Sequence, residues 1–342
     1  MPQSTVQSFA DPWDFQASFK AAKALFAAPG KYQAKLTRID MHQLWMHRAA
    51  ISQPLVAQVA APKDRTSIHF LADAYHPPIW QNGVELLPGV IVLCSPGAEH
   101  YCRTSTGVCW GSMSLTSSDL AVAGRALVDY ELTASAVMQV IRPPPHLMSR
   151  LLNLHEAAGQ LAATIPDNLA HPELCRAMEH ELVHVMVRCL TEGLTVGGDT
   201  PRPQRQLVMR RFEQFLEENP DRSVYMAELC AAIGVSGRTL RLRCEEHLGM
   251  GPSKYLWLRR MNIARRKLAM SDPTAAKVTT IALDCGFGEL GRFAVAYRKL
   301  FGESPSTTLR AAHRRFGYNQ RRHESADVRR TFVGTSSWPI QP

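Results

Sequence analysis

Residues 229 to 244 read LCAAIGVSGRTLRLRC and residues 281 to 297 read IALDCGFGELGRFAVAY, so one pattern is written twice. Each copy has a small residue, Cys230 or Ala282, four positions before a glycine, Gly234 or Gly286. The match continues downstream, with one extra residue in the second copy. It pairs Leu240 with Phe293, Cys244 with Tyr297, Gly249 with Gly302, Pro252 with Pro305 and Tyr255 with Thr308. The chain therefore contains an internal repeat.

Each copy predicts a helix-turn-helix. The small residue allows the next helix to cross closely, and the glycine supplies the positive φ that the turn needs. Ser236 can cap the following helix through its hydroxyl group. Leu240 and Cys244, like Phe293 and Tyr297, are four positions apart and therefore share one buried helical face. The opposite face of each second helix is left for a partner.

The segment between the copies predicts a connecting helix. It runs from Pro252, a residue suited to a first helical position, to about Met270. At ~1.5 Å per residue this helix is roughly 27 Å long. Two recognition helices about that far apart can enter major-groove segments roughly 34 Å apart, which is one turn of a DNA duplex.

The charge of the chain is concentrated in the half that contains the repeat. The formal net charge is +9. Residues 1–200 carry 14 Lys and Arg against 17 Asp and Glu, a net of −3, whereas residues 201–342 carry 25 against 13, a net of +12. A basic surface on a groove-reading fold indicates a polyanionic partner, and we expect double-stranded DNA.

The N-terminus and the cysteines indicate the compartment. Residues 1–14 show no basic segment followed by an apolar run, which argues against a signal peptide. The longest apolar stretch, residues 84–94, is broken by Pro88-Gly89 and is too short to span a bilayer. Eight cysteines are scattered without a Cys-x-x-Cys pair, which predicts a reduced compartment and no structural zinc. We expect a cytoplasmic protein with no membrane partner.

From Val208 to about Arg315 the chain resembles the tandem helix-turn-helix domain of AraC/XylS transcriptional regulators. The resemblance is carried by Gly234-Val235-Ser236, Arg238-Thr239-Leu240, His247-Leu248-Gly249, Pro252, Gly286-Phe287, Arg292-Phe293 and Phe301-Gly302-Glu303-Ser304-Pro305-Ser306. The block from Leu290 to Phe293 with Phe301-Gly302 is similar to the ethanolamine-utilisation regulators, and Pro29-Gly30-Lys31-Tyr32 extends that similarity into the N-terminal half. The family resemblance implies an activator that recruits RNA polymerase.

The N-terminal half predicts a change from helix to strands and back to helix. Residues 13–28 have helical apolar spacing, which Pro29-Gly30 ends. Short β-favouring runs then cover residues 32–51, 55–61, 66–72, 90–94 and 108–115 and predict a small sandwich or barrel. Helices are predicted over residues 119–128, 146–162 and 172–192. We expect Ser117-Ser118-Asp119 to cap the first of these helices.

These patterns predict a multidomain chain. The predicted parts are a β-rich domain over 1–140, a helical segment over 141–192, a linker over 193–205, an all-α tandem helix-turn-helix domain over 206–315 and a disordered tail over 316–342. The order resembles AraC-type regulators with a cupin-like effector domain. That resemblance implies that the β-rich domain senses an unidentified small molecule and that the helical segment forms a homodimer. The alternative that the protein is a regulator without an effector, in which the β-rich domain serves only for dimerisation, stays open.

The residues predicted to contact DNA lie in and around the two recognition helices. They are Ser236, Gly237, Arg238, Arg241 and Leu242 in the first copy, and Leu290, Gly291, Arg292, Val295, Arg298 and Lys299 in the second. Arg238 and Arg241 can bind guanine bidentately or bind phosphates. The family often has arginine where this chain has Leu242 and Val295.

The second copy lacks hydrogen-bonding side chains at Leu290, Gly291, Ala294 and Val295. We therefore expect it to position the protein on DNA through phosphate contacts rather than to read bases through hydrogen bonds. The basic runs Arg259-Arg260 and Arg265-Arg266-Lys267 lie on the connecting helix, where they either contact the DNA backbone or stay solvated.

Two groups of histidines raise a metal site as the alternative to a DNA-binding regulator. His180-Glu181-Leu182-Val183-His184 matches the zinc-protease signature, although the next histidine is His247 and no third ligand precedes the linker. His69, His76 and His100 lie in or beside the strands without a His-x-His cluster. We predict a protein that is not an enzyme and needs no metal or cofactor. A zinc hydrolase that uses His180, Glu181 and His184 is the alternative from another class.

Overall fold

Short β-favouring runs divided by glycine and proline form two antiparallel sheets within residues 3–195. The structure, a computed structural model, describes residues 3–18, 22–26, 32–73, 75–134, 138–165, 171–196, 203–219 and 224–311. Within these ranges the chain divides into two compact units, one that ends at Leu258 and one that begins at Arg259.

The first unit contains both sheets. Their strands are β1 Gln3–Phe9, β2 Ala22–Phe26, β3 Ala34–Asp40, β4 Trp45–Ile51, β5 Leu55–Ala60, β6 Arg65–Leu71, β7 Ile79–Gln81, β8 Val84–Leu86, β9 Ile91–Cys94, β10 Glu99–Arg103, β11 Val108–Thr116, β12 Gln139–Arg142 and β13 Leu194–Thr195. The large sheet has the order β1-β3-β4-β11-β6-β9-β12-β13, and the small sheet has the order β2-β5-β10-β7-β8. The β7–β8 hairpin turns at Asn82 and Gly83, whose φ angles of 50° and 82° suit a type I′ turn.

The large sheet has a helical layer on one face and the small sheet on the other. The helices are α2 Ser117–Val128, α3 Pro145–Thr164 and α4 Pro172–Glu192. Ile39 and Met46 point toward this layer and are at most 1% exposed, whereas Leu36 packs with Ala57 of the small sheet. The alternation follows from the two-residue period of a strand. The predicted β-rich N-terminal domain is confirmed, and the cupin-like label stays a prediction.

The helix predicted over residues 13–28 is wrong in its second half. Helix α1 covers only Pro12–Ser18, and the following apolar residues form β2, which pairs Ala24 with Ala57 of β5. Pairing with a distant strand and burial of Ala24 override the local helical spacing. Strand β1 was not predicted. The proposed stop at Pro29-Gly30 lies outside the described residues.

The three later helix predictions are confirmed as α2, α3 and α4. The cap of α2 differs, because the Oγ1 atom of Thr116, not a later serine, accepts the hydrogen bond from the Asp119 amide at 3.1 Å. Strand β13 lies inside the predicted linker 193–205 and pairs with β12. Residues 197–202 and the predicted tail 316–342 lie outside the described residues.

The first repeat belongs to the same unit as the sheets, so the predicted boundary at residue 205 is not where this unit ends. Its helices are α5 Pro203–Glu218, α6 Met226–Ile233, α7 Gly237–Leu248 and the start of α8 Pro252–Met270. Phe212, Leu229 and Leu240 are 0% exposed at its centre. The hydroxyl group of Tyr255 donates a hydrogen bond of 2.8 Å to Oε1 of Glu213. These contacts fix the positions of α5 and α8 around the helix-turn-helix.

The second repeat lies in the second unit. Its helices are α9 Val278–Asp284 and α10 Leu290–Phe301, and residues 305–311 are also helical. Phe293 and Phe301 pack on either side of Tyr297, with ring centroids 5.6 and 4.7 Å away. The Tyr297 and Thr308 hydroxyl groups are 2.8 Å apart. The predicted all-α tandem repeat is confirmed. None of the helices in the described part of the chain is both long and apolar enough to cross a membrane.

Candidate nucleic-acid interface

The turn of the first repeat fixes where α7 begins. Gly234 has a φ of 75°, a backbone conformation that residues with a Cβ atom rarely adopt. The amides of Gly234 and Val235 donate to the Cys230 carbonyl at 3.0 and 3.1 Å, which satisfies the end of α6. The Oγ atom of Ser236 then accepts from the Thr239 amide at 3.1 Å and caps α7.

Helix α7 has a buried face and a face exposed to solvent. Leu240 and Cys244 are 0% exposed, and burial raises the pKa of the Cys244 thiol to about 12, so this thiol is a neutral packing group. Arg238 and Arg241 are exposed, and Leu242 is 55% exposed. Ser236 and Gly237, at the start of the helix, are also exposed. All five residues predicted to contact DNA in this copy are therefore accessible.

A third arginine of α7 is engaged within the protein. Arg243 is half-buried, and its Nη1 atom lies 2.5 Å from Oε2 of Glu246. This i,i+3 pair holds the guanidinium group along the helix. The sequence alone assigns no role to Arg243, and the ion pair places this residue outside the set of exposed arginines.

The turn of the second repeat has the same backbone with a different cap. Gly286 has a φ of 78°, and the Phe287 amide donates to the Ala282 carbonyl at 3.0 Å. Glu289 occupies the cap position of α10 without a side-chain capping bond. Its carboxylate instead pairs with Arg292 at 3.0 Å, and both side chains are exposed.

Helix α10 repeats the two faces of α7. Phe293 and Tyr297 are at most 3% exposed, whereas Val295 is 72% exposed. The other predicted contact residues, Gly291, Arg292, Arg298 and Lys299, are exposed, and Leu290 is half-buried. Arg298 and Lys299 lie in the last turn, where positive charge is also favourable for the helix dipole.

Two arginines of the connecting helix support the second repeat. The Arg260 guanidinium lies 5.4 Å from the Phe287 ring centroid and its Nη1 atom donates to the Gly286 carbonyl at 3.4 Å. Arg265 lies over the Phe301 ring at 4.7 Å. The sequence predicts that the basic runs contact DNA or stay solvated, whereas Arg260 and Arg265 contact residues of the second repeat. Sequence alone does not reveal these contacts, because the aromatic partners Phe287 and Phe301 are more than 25 positions away from the arginines in the chain.

The strand histidines of the first unit do not form a metal cluster. His76 bonds the carbonyl groups of Pro77 and Gly107 at 2.5 and 2.6 Å. The His69 and His100 rings are 5.6 Å apart, and burial lowers their pKa values to about 4 and 3. Among the described residues, no group of three His, Cys, Asp or Glu side chains is arranged to hold a metal ion.

The zinc-protease-like motif lies on α4. The His180 and His184 rings are parallel, with centroids 6.4 Å apart. The glutamate that would act as the base, Glu181, is 2.5 Å from Nη2 of Arg150 on α3. This ion pair joins two neighbouring helices, which is a packing role.

Two helices that each follow a tight turn, bury one face and expose a basic face define a tandem helix-turn-helix DNA-binding protein. A family model described as a helix-turn-helix domain matches residues 229–311. The probable thc operon regulatory protein of Rhodococcus erythropolis is 31% identical over 260 residues, which cover 70% of this chain and 76% of that protein. The chain belongs to the AraC family of transcriptional regulators.

Two further similarities cover different shares of the chain. XylDLEGF operon transcriptional activator 2 of Pseudomonas putida is 40% identical over 99 residues, which cover 29% of this chain and 63% of that protein. The crystal structure of the AraC-like transcriptional activator CuxR is 15% identical, covers 77% of this chain and 96% of that chain, and has a TM-score of 0.40. The narrower resemblance to ethanolamine-utilisation regulators stays a prediction.

Proposed function

We propose that this regulator binds its operator through α7 and α10 and activates transcription by recruiting RNA polymerase, without catalysing a reaction, in the cytoplasm. The observation that carries the proposal is the exposed cationic face of α7. Arg238 lies on the side of the helix away from Leu240 and Cys244, and Arg241 lies at the flank of that exposed face; both arginines are exposed. A helix with this arrangement fits the major groove, where arginine binds the O6 and N7 atoms of guanine.

The two helices have different roles in this proposal. Helix α7 presents two exposed arginines that can read bases. Helix α10 presents Arg298 and Lys299 near its end, and its Arg292 is paired with Glu289. Contacts from Arg298 and Lys299 to phosphates would fix the register without reading sequence.

The N-terminal domain is proposed to sense a small polar effector between its sheets. A polar row crosses the large sheet, because His47, Ser112 and His69 are cross-strand neighbours on β4, β11 and β6. His100 faces His69 from the small sheet, and its buried Nδ1 atom has no hydrogen-bond partner among the described residues. A buried nitrogen atom of this kind can bind a polar ligand group. Helices α3 and α4, over residues 146–192, are the proposed dimerisation segment.

Strand β10 connects this row to the first repeat. His100 points to the large sheet, and the next residue, Tyr101, points to the opposite side. The Tyr101 hydroxyl group donates to the Met209 carbonyl of α5 at 3.4 Å, and its ring is 6.2 Å from that of His247 on α7. A shift of β10 on effector binding would therefore reach the recognition helix directly.

The test compares two arginine variants on a site selected by the full chain from random duplexes. Arg241→Ala should cost ~1 to 3 kcal/mol of binding free energy and relax the preference at one base pair, because a bidentate guanine contact is lost. Arg298→Ala should weaken binding to all sequences alike and lower the salt dependence by about one counterion.

Arg125→Ala is the matched control, since Arg125 is an exposed arginine on α2 that pairs with Glu131. It should bind with wild-type affinity and preference. Uniform loss of affinity in Arg241→Ala, with every base preference retained, would contradict the role assigned to α7. Failure of the wild type to select any sequence would contradict the proposal as a whole.

A further inference from the structure

The two recognition helices share one feature that charge does not explain. Each is 12 residues long, and the sixth residue of each is an aliphatic side chain exposed to solvent. These residues are Leu242, 55% exposed, and Val295, 72% exposed. A single exposed aliphatic residue is ordinary on a protein surface. The same exposure at the same position of both copies indicates a shared role.

Helical geometry places both residues at the middle of the exposed face. Leu242 lies two positions from each of the buried residues Leu240 and Cys244, and so about 200° around the helix from each. Val295 has the same relation to Phe293 and Tyr297. When the buried face packs on its own unit, the aliphatic side chain points directly away from that unit.

The surroundings of both residues fit a DNA groove. Leu242 lies one helical turn after the exposed Arg238 and next to the exposed Arg241. Val295 is followed by the exposed Arg298 and Lys299 on the same side of α10. An aliphatic centre beside arginines that can bind guanines, as in α7, or beside cations that can bind phosphates, as in α10, fits the floor and the rim of a groove.

One turn before Val295 is Gly291. A Cβ atom added to Gly291 would meet nothing within 4 Å, so the space beside this part of α10 is open. The absence of a side chain at this position allows the backbone of α10 to approach the bases closely. A short side chain such as valine can then reach the groove floor.

We infer that Leu242 and Val295 are specificity-determining residues that each contact the C5-methyl group of a thymine, one in each repeat. The inference rests on the proposed function, because it names the base chemistry that α7 and α10 read. Thymine is the only base that presents a methyl group in the major groove, and aliphatic side chains bind it by apolar contact. Burial of one methyl group changes affinity by about fourfold.

The test replaces thymine with deoxyuridine, which lacks only the methyl group. The full chain first selects its site from random duplexes, and each thymine of that site is then replaced singly while Kd is measured by fluorescence anisotropy. The wild type should lose about fourfold in affinity at one thymine in each half of the site. Leu242→Ala should bind the thymine and deoxyuridine forms of the first position equally and keep the loss at the second. Val295→Ala should show the reverse.

Two exposed aliphatic residues outside the recognition helices provide matched controls. Val122 on α2 is 52% exposed, and Leu283 on α9 is 53% exposed. Val122→Ala and Leu283→Ala should keep the wild-type losses at both thymines. Circular dichroism should show all four variants folded, because each changed side chain is at the surface.

The outcomes separate this inference from the function on which it rests. A selected site at which deoxyuridine binds as well as thymine everywhere would overturn the methyl contacts and leave DNA binding intact. The same conclusion follows if Leu242→Ala and Val295→Ala keep the wild-type losses. If the wild type selects no site, the proposed function fails and the methyl contacts fail with it.

Discussion

Leu240 and Leu242 show how position on a helix decides the role of one residue type. Leu240 is 0% exposed between the helices of the first repeat, and Leu242 is 55% exposed on the opposite side of α7. The helical period of 3.6 residues separates them by about 200°. The chemistry is identical, so the difference in function comes from the fold.

Leu240→Asp should unfold the first repeat, because it buries a charge that has no partner at this site. We expect a loss of more than about 4 kcal/mol in the free energy of unfolding, measured by urea denaturation with circular dichroism, and loss of DNA binding. Leu242→Asp is the matched control. It should unfold like the wild type yet bind DNA weakly, since it places a negative charge in the groove. A stable Leu240→Asp variant would show that the buried face is assigned incorrectly.

Four histidines of the N-terminal domain give its stability a defined pH dependence. Burial is the main cause that lowers the pKa values of His47 and His69 to about 4 and those of His100 and His155 to about 3. Arg38 and Arg65 near His47, and Arg48 beside His155, lower those two pKa values further. In the unfolded chain each histidine binds a proton near pH 6.5, and in the folded chain it stays neutral.

Stability should therefore be full above about pH 6.5 and fall as the pH decreases toward about 4, by roughly 2 to 3 kcal/mol for each histidine. Thermal unfolding between pH 7 and pH 5 measures this loss. His69→Gln should reduce the pH dependence, while His180→Gln, at an exposed position of α4, should retain it. A melting temperature that does not change over this interval would contradict the buried neutral state.

At the scale of elements, the Ser236 cap fixes where the recognition helix α7 begins. Ser236→Ala removes the oxygen atom that accepts from the Thr239 amide and should lower the free energy of unfolding by about 1 kcal/mol. Chemical denaturation monitored by circular dichroism measures this effect. Ser253→Ala, at an exposed position in the first turn of α8, should change stability by less than about 0.5 kcal/mol. Equal effects of the two variants would show that the Ser236 cap does not stabilise α7.

The tandem repeat could be predicted from sequence because its determinants are local. The turn glycine, the cap and the apolar pair of α7 lie between Gly234 and Cys244, and spacing alone assigns their roles. Strand β2 could not be predicted in this way, since its conformation depends on pairing with β5. A run with helical apolar spacing became a strand because of a partner further along the chain.

The same distinction between local and distant determinants applies to the residues of the DNA interface and of the N-terminal domain. The sequence identified Arg238 and Arg241 because both follow the turn at a known offset. It could not assign Arg260 or Arg265, whose aromatic partners lie in the second repeat. The row formed by His47, Ser112 and His69 could not be predicted either, because the three residues become neighbours only through the register of β4, β11 and β6.

At the scale of the whole molecule, the chain separates its charge by function. Residues 1–200 have a formal net charge of −3 and residues 201–342 have +12. Residues 1–200, with their net negative charge, do not attract the DNA phosphates, whereas the basic residues 201–342 do. Residues 201–342 should therefore determine the affinity for DNA. This affinity should decrease as the salt concentration rises, because the release of counterions from DNA then contributes less to binding.

The central claim is that both repeats enter the major groove of one duplex. Methylation interference with the full chain on its selected site tests it most directly, because methylation of guanine N7 blocks the major groove. We expect two clusters of interfering guanines about one duplex turn apart, roughly 10 base pairs. A single cluster would contradict the tandem role of α7 and α10, and no interference at any guanine would contradict major-groove binding altogether.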